Sequence, residues 1–178
     1  TMALCRVLAS LTHADGSIAV KGIYDRVRPL TDTERASITA LPTTDEKFRA
    51  SVFDSISSQY GQVSLCVPAA GITRDELAVR VDKVTGKARI YPLEQFKLVV
   101  DMNLIAPVYW ALEMIGRIAE DRAAKGLKRW TADEHIQGSV VFIGSISSQG
   151  NRGQISYAST KAGIEGAAAT IMKEAMFY

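Results

Sequence analysis

From Gln62 onward the chain alternates short apolar runs with long helical patterns, and this alternation constrains its fold more than any other feature. VSLCV at 63–67 is followed by a helical stretch from about Leu93 to Ala124, then by SVVFIG at 139–144, then by a second helical stretch from about Ser156. Strands that alternate with helices argue for a parallel sheet with covering helices. Because parallel strands are covered on both faces, they read as continuous apolar runs, as these two do. The expected architecture is α/β, with Ser139 to Gly144 a buried strand running parallel beside Val63 to Val67. Two insertions interrupt it. VRVDKVTGKARIY alternates around Thr85-Gly86 and predicts a small β-hairpin, and GLKRWTADEHIQG precedes the second strand; both are expected at the surface.

The first fifty residues read differently, as a mostly helical segment. Leu4, Val7, Leu8 and Leu11 share one helical face, HADGS ends that helix, and SIAV is strand-like. Thr31 with Glu34 and Thr43 with Glu46 fit the capping box, in which each side chain satisfies a free amide at a helix start. The second of these helices runs to about Tyr60. No Pro/Gly/Ser-rich linker marks a boundary.

Composition excludes several classes of function. At 178 residues and 47% hydrophobic the chain is long enough for one compact domain. Its net charge of +2, with acidic and basic residues interspersed, gives no footprint for nucleic acid. Cys5 and Cys66 lie in unrelated segments without metal or redox spacing, so Cys66 in its apolar run reads as a buried free thiol. His13 and His135 have no carboxylate at ligand spacing, so no metal is expected and both read as surface residues. No apolar run reaches the roughly 18 residues of a membrane helix, and the N-terminus lacks a secretory pattern. No membrane partner is expected, and a cytoplasmic location follows by default.

Chemistry concentrates between Ser139 and Ala162. Tyr157 and Lys161 are four residues apart, so on a helix they share a face. An ammonium beside a phenol favours the phenolate, drawing its pKa down from about 10 and making Tyr157 a candidate general acid–base. Ser145 follows the strand twelve positions before Tyr157, with Ser147 and Ser148 as rivals. Asn103 lies in VVDMNLIAP, where it is either functional or a polar residue at a helix kink shortly before Pro107. Tyr109, Trp110 and Met114 follow at helical spacing and are assigned to packing.

These four residues, in this order, resemble the short-chain dehydrogenase/reductase family, with its Tyr-x-x-x-Lys pair, a serine after the preceding strand, and an asparagine on the helix before that strand. The resemblance runs from about Phe53 to Tyr178 and implies a partial Rossmann-like sheet and an NAD- or NADP-dependent oxidoreductase acting on an alcohol/carbonyl pair. It further implies that Tyr157 transfers a proton, that Lys161 holds the ribose hydroxyls, that Ser145 steadies the carbonyl oxygen, and that Asn103 holds a water relaying protons to Lys161. Ala70 and Gly71 stand where the family has an Asn-Asn-Ala-Gly turn beside the cofactor, here Pro68-Ala69-Ala70-Gly71. No Gly-x-x-x-Gly-x-Gly loop is present, and no sixth strand follows Lys161. The chain by itself is therefore expected to bind dinucleotide weakly and to turn over little, because pyrophosphate rests on such a loop at a helix N-terminus.

In this family the Asn103 helix and the small-residue helix KAGIEGAAATIMKEA pack between subunits, which implies a homo-oligomer. Residues 1–50 resemble a segment of M20-type zinc dipeptidases, so the expected division is 1–50 and 51–178. The alternative is a non-catalytic assembly or binding protein built from family fragments.

Overall fold

The structure, a computed structural model, describes residues 31–33 and 44–178. The chain divides into two compact units, Thr1–Leu41 and Pro42–Tyr178. In the first, Asp32 and Thr33 are helical. The readings placed on Cys5, the Leu4 to Leu11 helix, His13, SIAV and Glu34 lie outside the described residues.

The second unit opens with helix α1, Asp45–Tyr60, which runs without a break through residue 50. Its N-cap is Thr44, in extended backbone, whose hydroxyl accepts from the Lys47 amide at 3.4 Å. The Thr43–Glu46 capping box is thus corrected by one residue, because Thr44 makes the entry turn. Gly61, at φ 84°, ends the helix by donating its amide to the Ser57 carbonyl.

Strands β1, Leu65–Cys66, and β4, Ser139–Val140, pair in parallel with Leu65 opposite Ser139 and Cys66 opposite Val140. The direction and partner are those expected. The burial is not: Leu65, Val67, Val141 and Ile143 are 59%, 48%, 47% and 44% exposed, and the ladder spans two residues on each side. Continuous apolar runs predict burial on both faces, but among the described residues this sheet has two strands and incomplete cover. One apolar hollow of about 400 Å³ lies on the opposite, core-facing side, between Met114, Ile118, Val140, Phe142, Ile171 and Met172.

The core lies where α1 and the long helix meet the sheet. Phe53, Cys66, Met114 and Ile118 are buried, with Val63, Trp110 and Val140 packed against them. Trp110 sits between Phe48 and Phe53, ring centroids 6.2 and 5.8 Å away, a packing role like that of Met114. Gly138 lets the chain approach this core, since a Cβ there would lie 2.7 Å from Ile118 Cδ1. Cys66 is a buried free thiol, and burial pushes its pKa up.

The long helical pattern is helix α2, Leu93–Val100, a π-helical turn, Asp101–Ile105, and helix α3, Ala106–Ala124, in one run. Pro107 has no N–H and crowds the preceding turn. The π turn, in which Ala106 donates to the Asp101 carbonyl, lies just before it and widens the helix there. This run carries an 18-residue window of mean hydropathy 1.5, long and apolar enough to cross a membrane by length and composition, which corrects the expectation that no such run exists. Packing accounts for part of that character: Val99, Ala111, Met114 and Ile118 are buried, alongside the polar Asn103 and Arg122. Leu98, Met102, Ile105, Tyr109 and Leu112 form an exposed stripe at the same helical spacing.

The predicted hairpin is present. Strands β2, Val79–Val81, and β3, Ala88–Ile90, pair antiparallel and are exposed throughout. Asp82 closes the loop by accepting from the amides of Val84 and Thr85 and from the Thr85 hydroxyl, contacts that lower its pKa. The second insertion is largely exposed, as expected, and is fastened at one point. Arg122, 3% exposed, donates to both Glu134 oxygens at 2.6 and 3.2 Å and to the Lys128 carbonyl at 2.8 Å, which ties the insertion to α3. The last helix, α4, Ile155–Ala175, meets the π turn at Gly163, where a Cβ would lie 3.0 Å from Leu104 Cδ2. Gly166 on the same helix has nothing within 4 Å of an added Cβ.

Candidate active site

Tyr157 lies in the first turn of α4 and Lys161 one turn on, so the helix itself sets their separation. The Lys161 ammonium stands 5.5 Å from the centre of the Tyr157 ring. It is 7% exposed and donates to the Ile143 carbonyl at 2.6 Å. A buried ammonium needs acceptors, and one of its three donors is committed to the segment that leaves β4. Thr160, fully buried, donates its hydroxyl to the Tyr157 carbonyl at 2.7 Å.

The serines divide by environment. Ser145, half-buried, has extended backbone and caps a 3₁₀ turn, Ile146–Gln149, its Oγ accepting from the Ser147 amide at 3.1 Å. Ser147 is buried and donates its hydroxyl to Gln154 Oε1 at 3.0 Å. Ser148 Oγ accepts from Gln149 Nε2 at 3.5 Å. Of Ser145 and its rival Ser147, Ser147 has spent its proton, whereas Ser145 is held as an acceptor with its own O–H still able to donate.

Asn103 sits in the π turn and is 1% exposed. Its carboxamide accepts from the Ile72 amide and donates to the Ile72 carbonyl, both at 2.8 Å. That two-point bond pins the 68–72 turn against the long helix. Gly71 lies against it, an added Cβ falling 3.4 Å from Asn103 Oδ1, while Ala70 and Gly71 themselves are exposed. The side chain of Asn103 thus holds the turn by both ends of its carboxamide.

Residues that motif reading passed over hold this corner together. Gln154 Oε1 accepts from Ser147 and from Asn151 Nδ2 at 2.8 Å, and its Nε2 donates to Asp75 at 2.8 Å. Glu76 donates its amide to the Gly153 carbonyl at 2.8 Å. Tyr91, 8% exposed, donates its phenol to the Arg74 carbonyl at 2.6 Å and shares a hydrogen bond with the Ser156 hydroxyl at 3.0 Å. The available signal was positional: Gln154 is the residue before α4, and Tyr91 joins the hairpin to Pro92 at the start of α2. Among the described residues no group of His, Cys, Asp or Glu is arranged to hold a metal.

Similarity to known proteins gives the family. Residues 20–177 match the family model of the short chain dehydrogenases. The 3-oxoacyl-[acyl-carrier-protein] reductase FabG of Escherichia coli (strain K12) is 29% identical over 135 residues, covering 75% of this chain and 46% of the relative. The 3-oxoacyl-[acyl-carrier-protein] reductase MabA of Mycobacterium bovis is 28% identical over 166 residues, covering 93% and 52%. The crystal structure of gox2181 superposes with a TM-score of 0.53 at 26% identity, over 75% of this chain and 44% of that one. The chain therefore spans about half the length of the relatives it matches. The dipeptidase resemblance of residues 1–50 finds no support among them, and the family match begins inside that segment. An ordered Asn, Ser, Tyr and Lys on a π turn, a post-strand turn and one helix face, together with a match over most of the sequence, make this chain a member of the short-chain dehydrogenase family.

Proposed function

We propose that the chain carries the catalytic half of an NAD- or NADP-dependent oxidoreductase acting on an alcohol/carbonyl pair. The observation that carries this reading is the buried Lys161 ammonium, anchored on the Ile143 carbonyl and facing the ring of Tyr157 one turn before it. In the reducing direction Tyr157 gives its phenolic proton to the carbonyl oxygen, and Ser145 donates a hydrogen bond to the same oxygen as negative charge develops there. The Lys161 ammonium stabilises the negative charge left on the Tyr157 oxygen. Asn103 acts by pinning the 68–72 turn, and Gly71 and Ala70 leave that turn's surface open.

The residues present fit the ribose end of a dinucleotide, since Lys161 has donors beyond the one given to Ile143 and Tyr157 lies beside it. When bound, the nicotinamide supplies or receives the hydride. Nothing in the sequence supplies the glycine-rich cradle for pyrophosphate, so this chain alone binds dinucleotide weakly in our reading. The substrate class that the relatives' names suggest is a 3-oxoacyl thioester on a carrier, and a second copy of the chain covers the exposed stripe Leu98, Met102, Ile105, Tyr109 and Leu112. A cytoplasmic setting suits such an enzyme.

Calorimetric titration with NADH and NADPH, paired with a hydride-transfer assay on a 3-oxoacyl thioester and on simple ketones, tests the proposal. Weak binding that Lys161→Ala weakens further, and turnover that Tyr157→Phe removes, are the expected results. Tight binding indifferent to Lys161→Ala would overturn it.

A further inference from the structure

We infer that Gln154 is a positioning residue whose carboxamide clamps the serine-bearing turn to the segment before the hairpin, and so sets where Tyr157 stands. This rests on the oxidoreductase reading for its consequence, though the clamp itself does not. Three features single Gln154 out. First, it occupies the N-cap position of α4, where a side chain ordinarily bonds one of the helix's free amides, yet it makes no such bond. Second, its carboxamide instead joins three other places: Oε1 accepts from Ser147 at 3.0 Å and Asn151 at 2.8 Å, filling both lone pairs, and Nε2 donates to Asp75 at 2.8 Å. Third, the backbone repeats the link beside it, with an isolated parallel bridge between Glu76 and Gln154.

The chemistry of these contacts gives the clamp direction. Ser147 is drawn down as a donor into the network, which holds the 3₁₀ turn and presents Ser145 at its start. Asp75 lies 79 residues away in sequence, so the contact closes the corner across the hairpin, the long helix and β4. Tyr157 follows three residues after Gln154, within the first turn of α4, whose amides lack intrahelical partners and which is the part of a helix most prone to fray. Catalysis between a serine on one segment and a tyrosine on another depends on their fixed separation, and displacement of about 1 Å can cost on the order of a hundredfold in rate. Gln154 touches neither reacting atom and acts through the two segments it joins. The hairpin insertion and the segment before it are then part of the site's support, with Asp75, Glu76 and Tyr91 as attachments.

The test exploits the polarity of the Gln154–Asp75 bond. Gln154→Ala removes all three contacts; Gln154→Glu keeps an acceptor for Ser147 and Asn151 but sets two carboxylates against each other; Gln154→Glu with Asp75→Asn restores the bond in reverse, amide donating to carboxylate. On the full chain, the ¹³Cζ resonance of tyrosine-labelled protein is followed, with Tyr157 assigned by its loss in Tyr157→Phe, together with kcat and KM on the carbonyl substrate. The expected result is a displaced Tyr157 resonance in both single variants, returned to the wild-type position in the double variant. Turnover should follow it, kcat falling about tenfold or more with KM changed less than about twofold, and recovering in the double variant. A Tyr157 resonance that ignores Gln154→Ala, or a double variant no better than Gln154→Glu, would overturn the clamp. Should the wild-type chain show no hydride transfer, the oxidoreductase reading fails while the resonance still decides the clamp.

Discussion

The corner around Tyr157 and the sheet beside it invert the usual arrangement of a small protein. At the corner the polar groups are buried and bonded: Asn103 and Ser156 are 1% exposed, and Thr160, Lys161 and Ser147 are also within the interior, each with a partner. At the sheet, Leu65, Val67, Val141 and Ile143 carry apolar surface into solvent. A buried polar group costs free energy unless every bond is made, so the corner is specified contact by contact. Apolar burial is non-directional and grows only with covered area, so the two-stranded sheet of the described residues is not specified in the same way. Among the described residues the polar corner is bonded throughout, while the outer face of the sheet is not covered.

The largest effect should come from breaking the corner at its charge. Lys161→Ala leaves the Ile143 carbonyl without its charged donor and Tyr157 without its neighbour; kcat/KM should fall by roughly 10² or more, the scale of a lost acid–base group, in a steady-state assay. A drop below about threefold would mean that the buried ammonium serves packing alone.

Asn103→Ala removes both bonds to Ile72 and leaves that residue's backbone groups to find water. Half-buried backbone groups left unmade cost about 1–3 kcal/mol, to be read from urea unfolding, with dinucleotide binding weakened because the 68–72 turn is released. Unchanged unfolding would show that the turn is held by other contacts. Tyr91→Phe is milder: Ser156 and the Arg74 carbonyl lose a shared partner while the ring stays packed edge-on against Phe96 at 6.5 Å. About 1 kcal/mol is expected by the same unfolding measurement.

A pH titration sharpens the comparison at the second insertion. The Arg122 guanidinium, hydrogen-bonded to Glu134, holds that carboxyl below the ordinary range. Because the folded pKa is the lower one, the contribution to stability is fully present above the unfolded value of about 4.3 and is lost as pH falls through the folded value. Melting temperature should therefore decline at acid pH, and Glu134→Gln should remove that part of the slope; an identical acid limb in both proteins would refute the assignment.

The smallest effect belongs to the sheet. Val141→Thr changes a residue 47% exposed and should alter unfolding free energy by less than about 0.5 kcal/mol. A cost several times larger would show that a second copy or further chain covers this face in solution, which sedimentation of the wild type would then display.

Sequence alone determined what depends on local periodicity and ordered spacing. The parallel pairing of 65–66 with 139–140, the long helix from Leu93 to Ala124, the hairpin around Thr85-Gly86 and the placement of Tyr157 and Lys161 on one helix face were all legible, because each follows from a period of two, a period of 3.6, or turn chemistry. The exact helix cap at Thr44 was missed because neighbouring threonines satisfy the same pattern and only backbone geometry chooses between them. Tertiary structure decided the remainder. It set Ser147 apart from Ser145 by burying one hydroxyl against Gln154, turned Asn103 toward the Ile72 backbone, and drew Asp75 and Tyr91 into the support of a helix that begins some eighty and sixty-five residues later. Hydrogen bonds between segments so far apart leave no periodic trace, since each requires only one donor and one acceptor brought within 3 Å by the fold.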